Sequence, residues 1–167
     1  MKKLCLVRHA KSSWKHLDLD DFDRPLNRRG MQDAPSMGKC LARRGVRPDA
    51  LVSSPAKRAM QTAVALADGM GIPSNEIRED RRIYAASTST LIAIIQGWDD
   101  TWERVMMVGH NPGIAEAAAV LTGEWVGHVP TCTVMELGLD VASWRDVAPG
   151  CGKLRLKVVP KVLRMDL

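Results

Sequence analysis

Four side chains of this sequence lie where apolar runs end or helical patterns begin, and together they could bind and attack an anion. They are two arginines and two histidines: Arg8, His9, Arg58 and His110. A guanidinium group holds a tetrahedral anion in a two-pronged fork, which an ammonium group cannot do. A neutral imidazole can act as a nucleophile. If the fold brings the four together, they would form a pocket for a tetrahedral dianion, with one imidazole placed to attack it.

The chemistry of such a pocket would be phosphoryl transfer in two steps. One imidazole would take the phosphoryl group, and water would then remove it. The arginines and the other histidine would stabilise the charge on the equatorial oxygens. This chemistry needs no metal ion and no cofactor, and the sequence contains no Gly-x-x-x-x-Gly-Lys phosphate loop. His16 and His128 are not placed like zinc ligands, so we expect both to lie on the surface.

Short apolar runs alternate with longer amphipathic stretches along the chain. The apolar runs predict strands at residues 4–7, 49–52, 105–108, 129–139 and 154–159. The amphipathic stretches predict helices at residues 28–44, 56–70, 90–98 and 113–121. This alternation is typical of an α/β fold, and we predict a three-layer α/β/α sandwich with a mostly parallel central sheet.

Parallel strands would bring the four side chains to one edge of that sheet. In an open α/β sheet, residues just past the carboxyl ends of parallel strands lie together, and ligands bind there. Arg8 and His9 follow the first predicted strand, and His110 follows the third. Arg58 lies near the start of the helix after the second strand, where backbone amides and the helix dipole attract anions.

Two of the predicted helices begin with a polar residue followed by proline. Ser54 and Asn111 are suitable N-caps, and Pro55 and Pro112 are suitable first helical residues. The segment at residues 10–25 is polar and irregular. It predicts a long surface loop, of the kind that often carries function in a compact domain.

Length and composition restrict the class of protein. The chain has 167 residues, of which 46% are hydrophobic and 26% are charged, as expected of one folded domain over residues 1–167. The net charge of +5 is spread along the chain, and a single Phe and a single Tyr leave little for base stacking. We therefore do not expect nucleic acid as a partner.

The sequence also argues against secretion and membrane insertion. The apolar run after the N-terminal lysines is interrupted by Arg8, and no stretch approaches the length of a membrane span. The four cysteines show no paired spacing, which favours reduced thiols. We predict a cytoplasmic protein with no membrane partner.

The motifs around these residues resemble those of the histidine phosphatase superfamily, whose signature is Arg-His-Gly at the end of the first strand. They are most similar to the short SixA-type phosphohistidine phosphatases, in which Arg-His-Ala often takes that place. The matching segments are residues 8–10, 21–30, 53–55 with 58 and 61–62, 80–84 and 109–113. The resemblance extends from residue 4 to about residue 121.

This resemblance implies a phosphoglycerate mutase-like fold, a phosphatase activity and a role for each candidate residue. His9 would be the nucleophile that becomes phosphorylated. Arg8, Arg58 and His110 would form the phosphate pocket and complete the catalytic group. Ser13, in the loop after the nucleophile, would add a hydroxyl contact with the phosphate or would be an ordinary loop serine.

The sequence departs from the superfamily pattern in two places. Ala10 replaces the signature glycine, a change that the SixA-type branch tolerates. The larger members use a carboxylic acid after the third strand to protonate an alcohol leaving group. The comparable residues here, 82–87, include neither Asp nor Glu, and Glu79 and Asp80 precede them.

The missing acid favours a substrate with a phosphorus–nitrogen bond. An alkoxide leaves poorly unless an acid donates a proton to it. An imidazole ring, with an ordinary pKa of ~6.5, can already carry the proton and leave neutral. Asp18, Asp20 or Asp21, in the long loop, could instead protonate an alcohol leaving group. A phosphomonoester therefore stays an alternative substrate.

The sequence therefore predicts a metal-free phosphatase that works through a phosphohistidine at His9 and dephosphorylates phosphohistidine on a protein. One alternative is a phosphomonoesterase of the same superfamily that acts on a small phosphorylated metabolite. Another is a non-catalytic phosphate-binding module. The presence of all four candidate residues argues against the last alternative.

Overall fold

A six-stranded sheet forms the centre of the protein in the computed structural model, which describes residues 1–165. The strands are β1 (Lys2–Arg8), β2 (Ala50–Ser53), β3 (Arg78–Glu79), β4 (Arg104–Gly109), β5 (Val134–Leu139) and β6 (Gly152–Val158). Their order across the sheet is β3-β2-β4-β1-β5-β6. Residues 166–167, the end of the predicted domain, lie outside the described range.

Four of the strands form a parallel unit, and the last two run antiparallel. β1 pairs with β4, β4 with β2, and β2 with β3, all in parallel. β5 pairs antiparallel with both β1 and β6. No α-helix joins β5 to β6, which suits an antiparallel connection because a parallel one needs a long crossover. The α/β prediction is confirmed, and the parallel pairing is confined to the first four strands.

Helices cover both faces of the sheet, so the predicted three-layer sandwich is confirmed. The helices are α1 (Arg28–Arg43), α2 (Lys57–Gly69), α3 (Thr88–Gln96), α4 (Gly113–Thr122) and α5 (Pro160–Met165). On one face, Met37 of α1 and Leu66 of α2 are fully buried in one apolar cluster. On the other face, Ile94 of α3 and Ile114 of α4 belong to a second cluster. β1 and β4 contribute to both clusters because alternate side chains of a strand point to opposite faces.

The helix after β2 begins later than predicted. α2 has Ala56 as its N-cap, so the prediction that Ser54 caps the helix and Pro55 opens it is wrong. The reason is that the Ser54 amide still donates to the Val108 carbonyl of β4 over 3.0 Å, which keeps this residue at the edge of the sheet. Arg58 nevertheless lies in the first turn of α2, as predicted.

The helix after β4 begins at residue 113, as the amphipathic pattern predicts, but its N-cap is not the predicted residue. A cis peptide bond joins Asn111 to Pro112, and Pro112 instead of Asn111 is the N-cap of α4. The Asn111 side chain still serves the helix, since its Oδ1 accepts from the Ala115 amide over 3.2 Å. Its Nδ2 donates to the Val129 carbonyl over 3.1 Å, which ties this turn to the loop before β5.

The start of β5 lies beyond the predicted residue 129. Pro130 has no amide hydrogen to donate to a strand ladder, and Cys132 adopts a positive φ of 62°. These residues form a loop beside the end of β1 instead. The Cys132 amide donates to the carbonyls of both Arg8 and His9 over 3.0 Å, so the loop holds the backbone at the site.

The four cysteines are all free thiols, and three of them are buried. This matches the prediction drawn from their unpaired spacing. In the part of the chain that the structure describes, no helix has the length and apolar character of a membrane span.

Candidate active site

The carboxyl ends of β1 and β4 bring the two candidate histidines together. The two strands are parallel neighbours, with Arg8 opposite Gly109 at their ends. His9 and His110 therefore follow at the same level of the sheet, and the His9 amide donates to the Gly109 carbonyl over 3.0 Å. The centroids of the two imidazole rings are 5.2 Å apart, with the ring planes inclined by 55°.

Arg58 approaches from the first turn of α2, which follows β2, the other neighbour of β4. Its side chain is buried. The Thr62 hydroxyl donates to the Arg58 carbonyl over 2.8 Å and accepts from the Ala10 amide over 2.9 Å. These two hydrogen bonds tie the start of α2 to the chain just after His9, so they position the guanidinium relative to the imidazole.

Arg8 is the last residue of β1, and not all hydrogen-bond donors of its guanidinium have an acceptor among the described residues. Its Nη1 donates to the Val129 carbonyl over 3.0 Å. Its Nε is buried and has no hydrogen-bond partner among the described residues. A buried donor without an acceptor costs free energy, so this guanidinium is suited to a bound anion that would accept from it.

The proton on the His9 ring has a defined position. Nδ1 lies 2.7 Å from the Ala10 carbonyl oxygen, which can only accept, so Nδ1 carries the proton and Nε2 keeps its lone pair. Burial lowers the pKa of His9 to about 4, and the charges of Arg58 and Arg8 act in the same direction. The ring is therefore neutral at neutral pH, in the state that a nucleophile needs.

His110 is also held neutral. Burial and the neighbouring His9 lower the pKa of His110 to about 3. Its Nε2 lies 2.8 Å from the Ser54 hydroxyl, which accepts from the Ala56 amide and so can donate its own hydrogen to Nε2. When this hydroxyl donates, the proton of the neutral ring lies on Nδ1, which is buried and has no partner among the described residues. A bound oxyanion would supply the acceptor.

The titration of His9 tests this protonation state directly. Because burial and the adjacent arginines disfavour the charged ring, we expect it to stay neutral with its proton on Nδ1 and to titrate at about pH 4. Nitrogen-15 NMR of the ligand-free protein would report both the tautomer and the midpoint. His16 and His128 are both exposed, as predicted. A His9 midpoint near the ordinary value of ~6.5 would contradict the assignment.

Arg24 is a third arginine at the site and had no predicted role. The cavity at the site has a volume of about 280 Å³ and is lined by Arg8, His9, Lys11, Ser12, Trp14, Arg24, Arg58 and Thr131. Arg24 is buried, and its guanidinium carbon lies 3.3 Å from the centroid of the Trp14 ring. Its charge contributes to the lowered pKa of His9. The only sequence signal for it was its place in the matching segment 21–30.

Asp21 bridges two of these arginines. Its Oδ2 lies 2.9 Å from Nη2 of Arg58, and its Oδ1 lies 2.8 Å from Nη1 of Arg24. The Tyr84 hydroxyl donates to Oδ2 over 2.6 Å. The hydrogen bond from Tyr84 and the contacts with both arginines lower the pKa of Asp21 to about 2. The predicted loop thus brings a carboxyl group to the site, but this group is ionised at neutral pH and cannot donate a proton.

A second cavity, of about 570 Å³, shares Arg58 with the first. It is lined by Asp21, Arg58, Tyr84, Ala85, Ala86, Ser87, His110, Asn111, Pro112, Gly113 and Glu116. Ala85 has a positive φ of 55°, which is unfavourable for a residue with a side chain. Such strain persists only where the surrounding structure imposes it, as it does at many functional sites.

Ser13 contacts Arg24 and lines neither of these two cavities. Its hydroxyl accepts from the Lys15 amide over 3.2 Å, and its carbonyl accepts from Nε of Arg24 over 3.1 Å. The neighbouring Ser12 lines the cavity that contains His9. Ser13 therefore holds Arg24 through its carbonyl, and its side chain does not line the cavity that contains His9.

Comparison with known proteins gives matches of sequence and of structure. The family model of the histidine phosphatase superfamily (branch 1) matches residues 4–84, which include Arg8, His9 and Arg58. An uncharacterised chloroplastic protein of Arabidopsis thaliana is 30% identical over 171 residues, covering 95% of this chain and 78% of the plant protein.

Two solved structures have the same fold over nearly their whole length. SixA from Agrobacterium tumefaciens aligns with a TM-score of 0.81 at 28% identity, covering 95% of this chain and 98% of that one. The protein histidine phosphatase SixA complexed with tungstate aligns with a TM-score of 0.83 at 21% identity, covering 96% and 99% of the two chains.

Proposed function

This chain belongs to the histidine phosphatase superfamily, and we propose that it removes phosphate from phosphohistidine on a protein through an intermediate at His9. The phosphatase activity itself follows from the family and from the likeness to SixA. The ionised carboxylate of Asp21 is the observation that favours phosphohistidine as the substrate, because this acid cannot protonate a leaving group. We also propose that residues 1–167 form one domain of this family.

In the first step, the phosphoryl group binds in the cavity lined by three arginines. Arg8, Arg24 and Arg58 would hold its equatorial oxygens and stabilise their charge. Positioning and charge stabilisation are the main contributions of a protein to phosphoryl transfer. Nε2 of His9 forms a bond to phosphorus, and the bond from phosphorus to the substrate nitrogen breaks. The electron pair of that bond returns to the substrate ring.

In the second step, water releases phosphate from His9. The Ala10 carbonyl keeps a proton on Nδ1 of His9, so the phosphorylated ring can leave phosphorus as a neutral imidazole. Water forms the new bond to phosphorus, and the electron pair of the broken bond returns to Nε2. With its proton on Nδ1, which has no partner among the described residues, His110 would donate to an oxygen of the transferring group.

The chemistry of the leaving group distinguishes the substrate classes. An alcohol leaves as a poor alkoxide unless an acid protonates it, and such an acid contributes about 10²–10⁴ in rate. Asp21 is held ionised by Tyr84, Arg58 and Arg24, so it does not supply that proton. A phosphorylated imidazole carries its own proton and does not need one.

Exposed residues beside the cavity favour a protein-borne substrate. Trp14 lines the cavity and is 73% exposed, and Leu17 in the same loop is 93% exposed. Tryptophan is enriched at protein contact surfaces, so the exposed Trp14 at the cavity is suited to contact another protein. A histidine on the surface of another protein could reach His9 while its flanking residues contact this loop.

A second candidate function is hydrolysis of small phosphomonoesters with Glu116 as the proton donor. Glu116 lines the second cavity together with His110 and Arg58. Its carboxylate accepts from the Thr88 hydroxyl over 3.1 Å. This carboxyl group is the specific observation in favour of a monoester, since Asp21 cannot act as the acid.

Phosphate release from three substrates tests the proposal. They are a protein phosphorylated on histidine, p-nitrophenyl phosphate and a panel of sugar phosphates, each with and without a chelator. We expect kcat/KM for phosphohistidine to exceed that for sugar phosphates by at least about 10²-fold, the contribution of a missing general acid. We expect the chelator to have no effect.

The opposite preference would favour the second candidate. In that case sugar phosphates would be the better substrates, and Glu116→Gln would lower their hydrolysis by about 10²-fold. That pair of results would refute phosphohistidine as the substrate while leaving the phosphatase activity in place.

A further inference from the structure

We propose that the second cavity binds the imidazole ring that leaves from the substrate, and that Asp21 accepts a hydrogen bond from the free N–H of that ring. The inference rests on the proposed function, because it assigns a subsite to the phosphohistidine side chain itself. It makes Asp21 a specificity-determining residue for phosphate that is linked to nitrogen.

Arg58 places the two cavities side by side. It lines the cavity that contains His9 and also the cavity that contains Asp21 and Tyr84. A phosphoryl group held by Arg58 in the first cavity therefore has room for its substituent in the second. The volume of the second cavity, about 570 Å³, is ample for a histidine side chain.

Asp21 has an acceptor position to spare. An ionised carboxylate offers about four acceptor positions. The side chains of Arg24, Arg58 and Tyr84 each donate to the carboxylate. The Asp21 side chain is 51% exposed, so it stays accessible to a ligand despite these contacts.

Phosphate binding would change the charge balance around Asp21. In the free protein, Arg58 and Arg24 compensate its charge, His110 is neutral, and Glu116 lines the same cavity. A dianionic phosphoryl group would bind both arginines, so they would compensate the charge of Asp21 less completely. The Asp21 carboxylate could then compensate a positively charged ring, which an uncharged residue at this position could not do.

Aromatic side chains form one wall of this cavity. The Tyr84 and His110 rings meet edge to face, with centroids 5.5 Å apart and planes at 81°. Phe22 packs against the Tyr84 ring in the same manner at 5.1 Å. A planar heterocycle packs favourably against such rings, so the wall suits an imidazole.

A protonated ring leaves phosphorus without help from an acid. Solvent supplies the proton to the ring nitrogen that does not carry phosphorus, and Asp21 stabilises it there. As Nε2 of His9 bonds to phosphorus, the old phosphorus–nitrogen bond breaks and its electron pair returns to the ring. The ring leaves as a neutral imidazole that still holds its proton.

The test compares Asp21→Asn on two substrates. p-Nitrophenyl phosphate has a leaving group that needs no proton, so it reports the phosphate pocket alone. We expect the ratio of kcat/KM for phosphohistidine to kcat/KM for p-nitrophenyl phosphate to fall about 10- to 100-fold, the loss of one hydrogen bond to a charged group. Asp21→Glu should restore part of the ratio, because it keeps the charge.

Asp23→Asn is the matched control. Asp23 is exposed on the same short turn, and we expect its replacement to leave the ratio unchanged. If Asp21→Asn slows both substrates alike, Asp21 acts only by positioning Arg58 and Arg24, and the subsite is refuted while the proposed function stands. If the wild-type protein does not hydrolyse phosphohistidine, the proposed function fails and the subsite with it.

Discussion

Replacing His9 with alanine is expected to reduce phosphate release by a factor on the order of 10⁶, the size of loss known for removal of a catalytic nucleophile. The reason is that His9 carries the free ring nitrogen at the cavity, with its proton fixed on the opposite nitrogen by the Ala10 carbonyl. The arginines around it can bind a phosphoryl group but cannot accept one. The measurement is kcat/KM for both phosphohistidine and p-nitrophenyl phosphate.

The His9 variant needs a control for stability and a control for chemistry. His9 is only 8% exposed, so loss of its ring leaves a space in the protein. Circular dichroism and thermal unfolding would show whether the variant is folded. His128→Ala removes an exposed histidine that lines neither cavity, and we expect it to keep the wild-type rate. A folded His9→Ala protein with most of its activity would refute His9 as the nucleophile.

Replacing Arg58 with alanine is expected to lower kcat/KM by about 10²–10³-fold, the usual cost of one preorganised group that stabilises the transition state. Arg58 lies at both cavities, and its guanidinium is held by Asp21 on one side. Its loss would remove a fork for the phosphoryl oxygens. The measurement is the same pair of kcat/KM values, so that binding of phosphate is separated from departure of the ring.

Two further variants make the Arg58 result specific. Lys57→Ala removes the exposed cation next to it on α2, and we expect little change. Arg58→Lys keeps the charge but not the fork, so its rate should lie between those of the wild type and the alanine variant. Equal losses for Lys57→Ala and Arg58→Ala would show that general charge, and not this side chain, matters.

The parallel half of the fold could be predicted because its signals are local. The run at residues 4–7 is apolar throughout, as a strand buried on both faces must be, and it forms the core of β1. The same holds for residues 105–108 within β4. Since strands that alternate with helices pair in parallel, the convergence of Arg8, His9 and His110 follows from their places at the strand ends.

The N-caps of α2 and α4 were mispredicted because tertiary contacts overrode local capping preferences. Ser54 has a good N-cap side chain, but its amide is bound to β4 and its hydroxyl lies against His110. Asn111 stands before a cis peptide bond, and its side chain reaches both α4 and the Val129 carbonyl. Neither contact has a signal in the adjacent sequence.

Arg24 and Tyr84 were missed as site residues, and Asp21 was considered only as one of three loop acids, because no spacing rule connects them to the strand ends. Asp21 and Arg24 lie in an irregular loop whose path depends on contacts made elsewhere. One such contact is the hydrogen bond from the Leu26 amide to the Gln61 side chain, over 2.8 Å. The loop could be predicted from its length and polarity, but its residues could be placed only in the folded chain.

Trapping the intermediate during turnover tests the central claim most directly. The protein would be mixed with a phosphohistidine-bearing substrate, quenched in alkali, digested and analysed for phosphorylated peptides. We predict a phosphate that is stable to base and labile to acid, located on His9 and missing from His9→Ala. Continued release of phosphate with His9 unmodified at every time point would contradict it.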